Sequence, residues 1–71
     1  MFSHQPRPRV TVEFEGKRYS ATYYTNGRLV VVETAYGNDG RQRGGSKPED
    51  VAGMLLVQLL RAAKSRGALR N

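Results

Sequence analysis

No cysteine occurs among the 71 residues. That excludes a disulfide framework, a thiolate metal site and a cysteine nucleophile, and it suits a reducing compartment. Histidine is almost missing too: His4 is the only one, and it falls in a proline-containing terminal stretch where no partner can orient it for acid–base work. Acids are scarce, six Asp and Glu against twelve Lys and Arg. With so few ligand-type side chains and no acidic loop of calcium type, no metal site and no cofactor is expected. Long apolar runs are absent as well. Nothing approaches the roughly 18 residues of a membrane span, and the opening MFSHQPRPR lacks the apolar stretch of a signal peptide. A cytoplasmic protein without a membrane partner is the expectation.

The same scarcity argues against an enzyme. Ser20, Ser46 and Ser65 have no base near them in sequence, and Glu13, Glu15 and Glu33 read as acids of an open sheet face with no pocket. Glu15 is expected to face Arg18 as a cross-strand pair. Seventy-one residues make one small domain, and a binding module is what remains.

What is present is a strong pair of hairpin signals. Thr25-Asn26-Gly27-Arg28 suits a type I′ turn with Asn26 and Gly27 at its centre. Counting back pairs Tyr24 with Leu29, Tyr23 with Val30, Ala21 with Val32 and Tyr19 with Thr34. Glu15-Gly16-Lys17-Arg18 suits a type II′ turn with Gly16 first, pairing Phe14 with Tyr19, Val12 with Ala21 and Val10 with Tyr23. Both registers put Val10, Val12, Phe14, Tyr19, Ala21, Tyr23, Val30 and Val32 on one face. A slip of one residue would turn every side chain over, so their agreement fixes the face. Thr11, Glu13, Ser20, Thr22 and Glu33 fall on the other, with Tyr24, Leu29 and Val31 as an apolar cluster at one end.

The pattern predicts strands over 9–15, 18–25 and 28–36, a glycine-rich loop over 36–47 and a helix over 47–66. The fold class is therefore α+β: a three-stranded antiparallel β-meander packed against one C-terminal helix. Residues 1–8 read as a flexible arm, 9–67 as a single βββα domain and 68–71 as a basic tail. Ser46-Lys47-Pro48-Glu49 has the spacing of a capping box, and Gly67 is placed to end the helix. At 100° per residue, Val51, Ala52, Leu55, Leu56, Leu59, Ala62 and Ala63 make the sheet-facing side, with Leu60 at its edge. Met54 and Val57 fall opposite, where a lone surface helix would carry polar residues.

A net charge of +6 points to an anionic partner. The candidate nucleic-acid contacts are Arg7 and Arg9 of the arm, Arg28 of a hairpin turn, Arg41, Arg43 and Lys47 of the glycine-rich loop, and Arg61 and Lys64 near the helix end. Arg41-Gln42-Arg43-Gly44-Gly45 can wrap a phosphate, since glycines let backbone N–H groups come close to an anion. The Arg7-Pro8-Arg9 arm has the character of a minor-groove contact. Glu13 and Glu33 would repel phosphates from the sheet face itself. The expected function is nucleic-acid binding, DNA or RNA, through loops, turns and the helix end. The alternative is a non-enzymatic protein-interaction module, a small adaptor or inhibitor of the kind found among phage and mobile-element products, which binds an acidic protein surface. Met54, Val57, Tyr24 and Leu29 are its candidate interface, and the Met54–Val57 strip also suits a homodimer through the helix.

Overall fold

The computed structural model describes residues 7–69. Apart from Arg7 and Pro8, the expected arm lies outside the described residues. So does the expected tail, apart from Ala68 and Leu69. The chain forms β1 (Arg9–Phe14), β2 (Lys17–Asn26), β3 (Leu29–Thr34), β4 (Gly37–Gln42) and α1 (Pro48–Ser65). The strands make one antiparallel sheet in the order β1-β2-β3-β4, and α1 covers one of its faces. The α+β architecture is as expected, but the sheet has four strands, not three.

The fourth strand occupies half of the expected loop. Gly37-Asn38-Asp39-Gly40-Arg41-Gln42 has little strand propensity, yet without it β3 would leave a row of backbone donors and acceptors unpaired along one side. Thr34 starts the hairpin: its Oγ1 accepts from the Tyr36 amide at 3.0 Å and donates to the Gly37 carbonyl at 2.8 Å. Gly40 lies opposite Val31. A Cβ at Gly40 would stand 3.3 Å from Val31 Cγ2, so a larger residue here would require Val31 to give by a few tenths of an ångström.

Both expected pairings are displaced by two residues. In the first hairpin Val10 faces Ala21, Val12 faces Tyr19 and Phe14 faces Lys17. Its turn is Glu15-Gly16, with φ of 52° and 81°; positive φ at both central residues is the type I′ pattern. In the second, Tyr23 faces Val32, Tyr24 faces Val31 and Asn26 faces Leu29. Here Gly27 alone has positive φ, 62°, and Arg28 follows it, which is the type II′ pattern. The two turn types are thus exchanged relative to expectation. Because two is even, every side chain keeps its face. The displaced first turn also lets the Glu15 carboxylate pair with Lys64, so Glu15 does not face Arg18; Glu13 does.

The core is the expected face of the sheet under a slightly rotated helix. Ala21, Val30 and Val32 are buried with Val51, Ala52, Leu55, Leu56 and Leu60, and Val10, Val12, Phe14, Tyr19 and Tyr23 pack around them. Phe14 and Tyr19 meet edge to face at 6.3 Å. Leu60, expected at the edge, is 0% exposed, whereas Ala62 is exposed and Leu59 half-buried. The helix therefore rolls towards β1, where Gly53 rides over Val10 and Val12.

The helix ends differ in how they are closed. Ser46 does not cap: its amide bonds to the Arg43 carbonyl at 3.0 Å, closing a turn. Lys47 is the N-cap residue and has no side-chain cap bond; its carbonyl accepts from Asp50 and Val51. Pro48 opens the first turn, where no N–H is needed. At the other end, Ala68 N–H bonds to the Ala63 carbonyl (2.8 Å) and Gly67 N–H to that of Lys64 (3.0 Å), a Schellman motif with Gly67 at φ 75°. Gly67→Ala is expected to destabilise by about 1–2 kcal/mol, the cost of a left-handed L-residue. That lowers the melting temperature by about 4–8 °C per kcal/mol in a domain this small. An unchanged melt would mean that the motif contributes nothing.

Candidate nucleic-acid interface

Of the eight expected cationic contacts, two are engaged in ion pairs, four gather at one end of the sheet and two, Arg9 and Arg61, stand apart. Arg7 is engaged. Its guanidinium pairs with Glu33 and lies 4.8 Å from the centre of the Tyr24 ring, and the next carbonyl, that of Pro8, accepts from the Tyr23 amide at 3.0 Å. This stretch continues the sheet, so Arg7 is not an arm reaching outwards. Lys64 is engaged with Glu15. Arg61 stands exposed on the helix, far along the chain from the loop cations. Arg9 begins the exposed edge of β1.

Arg28, Arg41, Arg43 and Lys47 form the convergent set. An antiparallel meander returns the β2–β3 turn and the end of β4 to the same end of the sheet, where the helix also begins. The Arg43 amide bonds to the Arg28 carbonyl at 2.9 Å, joining cations fifteen positions apart in sequence. Arg41 lies opposite Val30, and its Nη1 is 3.9 Å from Met54 Sδ, so this side chain leans against the helix. All four are exposed. Among the described residues, the ion pairs are Arg7–Glu33 and Lys64–Glu15, and none of the four takes part in one. A Cβ at Gly44 or Gly45 would meet nothing within 4 Å, so there is open space beside these two glycines. The backbone thus brings these four exposed cations to one end of the sheet, outside the two ion pairs.

The expected protein-interface residues lie in two places. Tyr24 and Leu29 sit with Val31 on the outer face, where Tyr24 lies opposite Val31 and Leu29 is 37% exposed. Met54 is 41% exposed. Val57 is half-buried and, with Met54, borders a shallow groove of about 460 Å³ between α1 and β1. Glu49 and Asp50 line the same groove with Val10 and Val12. Sequence reasoning missed this groove, although Gly53 within an apolar helix is its signal. Nor does the sequence announce that Arg66, a cation suited to the helix end, donates from Nη2 to the Tyr36 carbonyl at 3.1 Å and ties that end to the β3–β4 turn.

No helix among the described residues is long and apolar enough to cross a membrane. No group of three or more His, Asp or Glu among them could hold a metal ion. Compared with protein-family models, with curated proteins and with solved structures, the chain has no match.

Proposed function

We propose that this chain is a small non-enzymatic module that binds nucleic acid through phosphate contacts at the end of the sheet where Arg28, Arg41, Arg43 and Lys47 meet. The observation that carries this reading is the Arg43–Arg28 backbone bond, which gathers cations from two separate loops beside open glycine backbone. Sequence-independent attraction to phosphates is the chemistry such a cluster offers, since nothing on it is shaped to read base edges. Arg9 and Arg61 add to the long-range field that steers a polyanion towards the protein.

The test is the salt dependence of binding to labelled duplex DNA, single-stranded DNA and RNA, read by fluorescence anisotropy. Four phosphate contacts predict a slope of log K against log salt of about −3.6 on duplex and about −2.8 on single strands. A slope near zero, or no binding at low salt, would remove nucleic acid from consideration. It would favour the second reading, a module for an acidic protein surface, whose support is the exposed Leu29 beside Tyr24 and Arg28. Self-association through the apolar strip of Met54 and Val57 belongs to the same proposal and is compatible with either partner.

A further inference from the structure

We propose that two copies of this chain join through their β1 edges, with Arg9 of each copy opposite Glu13 of the other about a two-fold axis through Thr11. The β1 edge is distinct from the loops that carry Arg28, Arg43 and Lys47, and its pairing does not depend on nucleic acid.

β1 is an outer strand of the sheet, and its backbone polarity can be read from its neighbour. The Pro8 carbonyl accepts from Tyr23, and Phe14 faces Lys17 across a two-residue turn. Even-numbered residues of this segment therefore direct their N–H and C=O groups to β2. Arg9, Thr11 and Glu13 direct theirs outwards, along an edge that β2 does not reach. Each of these side chains is exposed, and the segment RVTVEF contains β-branched and aromatic residues suited to a strand. Such an edge is a template for a further strand unless something blunts it. Proline, bulges and charged side chains are common blunting devices; β1 contains no proline or lysine, and its two charges, Arg9 and Glu13, are opposite in sign.

Symmetry then limits the register. Residues directly opposite in an antiparallel pair point to the same face, so a strand can pair with its own copy only about a residue, never between two. Centred on Thr11, the pairing sets Arg9 against Glu13 twice, Val10 against Val12 twice and Thr11 against itself. The residues facing each other with outward backbone groups are the ones that hydrogen-bond. Opposite charges meet on the outer face, and valines meet on the helix face. Centring on Val10 or Val12 loses the Arg9–Glu13 match.

The same axis puts both helices on one side of a continuous eight-stranded sheet. Each copy brings its groove, bordered by Gly53, Met54 and Val57 and with Arg9, Glu49 and Asp50 also on its wall, to the seam, so the two grooves merge over the paired valines. The half-buried Val57 and the exposed Met54 would lie beside that seam. The other open edge, β4, is a weaker seat. Its Asp39 carboxylate already accepts the Gly40 amide at 2.8 Å, Arg41 leans on Met54, and its six residues are all exposed.

Sedimentation equilibrium on the full chain, without nucleic acid, tests the proposal. The wild type is expected to show a monomer–dimer equilibrium. R9E and E13R each put like charges opposite twice and are expected to weaken it about tenfold or more. An equimolar mixture of R9E and E13R chains, in which every pair is again opposite in sign, is expected to restore the dimer. The double variant R9E/E13R should restore it as well, which also excludes misfolding as the cause of the single effects. A wild-type monomer at all concentrations overturns the proposal. So does a dimer indifferent to these swaps, or one governed instead by reversal of Asp39 and Arg41.

Discussion

Leu60→Ala is expected to be the most damaging single truncation on the helix, costing about 2–5 kcal/mol. Leu60 is 0% exposed and sits in the cluster with Val30, Val32 and Leu56, so the lost methyl groups leave a cavity with packed walls. A domain of this length holds about 4–10 kcal/mol in total, and the variant should lie near or past its unfolding threshold at moderate temperature. Leu59→Ala is the informative comparison. Leu59 is half-buried against the glycine side of β4, 3.8 Å from where a Gly37 Cβ would stand, and its loss should cost clearly less. Urea unfolding of both variants gives the ranking. A larger loss for Leu59 than for Leu60 would mean that the helix is rolled the other way on the sheet.

Removing two of the four convergent cations should have the largest effect on binding. For a four-contact complex on duplex, raising salt from 50 to 200 mM lowers affinity by roughly 150-fold, and a two-contact complex loses only about twelvefold. Arg28→Ser with Arg43→Ser is the chosen pair. Both residues are exposed, and the hydrogen bond between them uses only backbone atoms, so the fold should survive the change. The expected result is weaker binding at low salt and a slope flatter by about 1.8. Arg61→Ser with Lys64→Ser, at the opposite end of the helix, is the matched control with the same loss of charge. Equal effects from both pairs would reduce the phenomenon to net charge and remove the cluster as a site.

The faces of this sheet were legible in its sequence, while the pairings were not. Alternation of Val10, Val12 and Phe14 with Thr11 and Glu13 is a parity, and parity survives a shift of two residues. Turn chemistry alone had to supply the rest, and it is degenerate here. Glu15 at φ 52° takes a place that the rules reserve for Gly, Asn or Asp, so an observer counting from glycine chooses the neighbouring turn. β4 was hidden for another reason: its residues carry no strand signal, and the demand comes from β3, whose second side needed partners. The Ser46 box did not form: the helix takes Lys47, one residue later, as its N-cap, and the Ser46 amide closes a turn on the Arg43 carbonyl. As for the candidate site, charge identified the cations, but only topology could separate Arg28, Arg41 and Arg43 from Arg7 and Lys64. The two ion partners, Glu33 and Glu15, are 26 and 49 positions away.

The composition of β4 has a dynamic consequence. A strand with six exposed residues and two glycines is held mainly by its ladder to β3, so it belongs to the part of the molecule that opens first. Opening it would release the amides of Val30, Val32 and Thr34 to exchange with solvent, while those of Val31 and Glu33 stay protected by the β2–β3 ladder. Arg41 and Arg43 travel with that opening, and an anion that clamps them to Arg28 closes it. Ligand binding should therefore register as slowed deuterium uptake along β3, several residues from any contact, so that alternate amides of one strand report on the ligand and on the global fold separately.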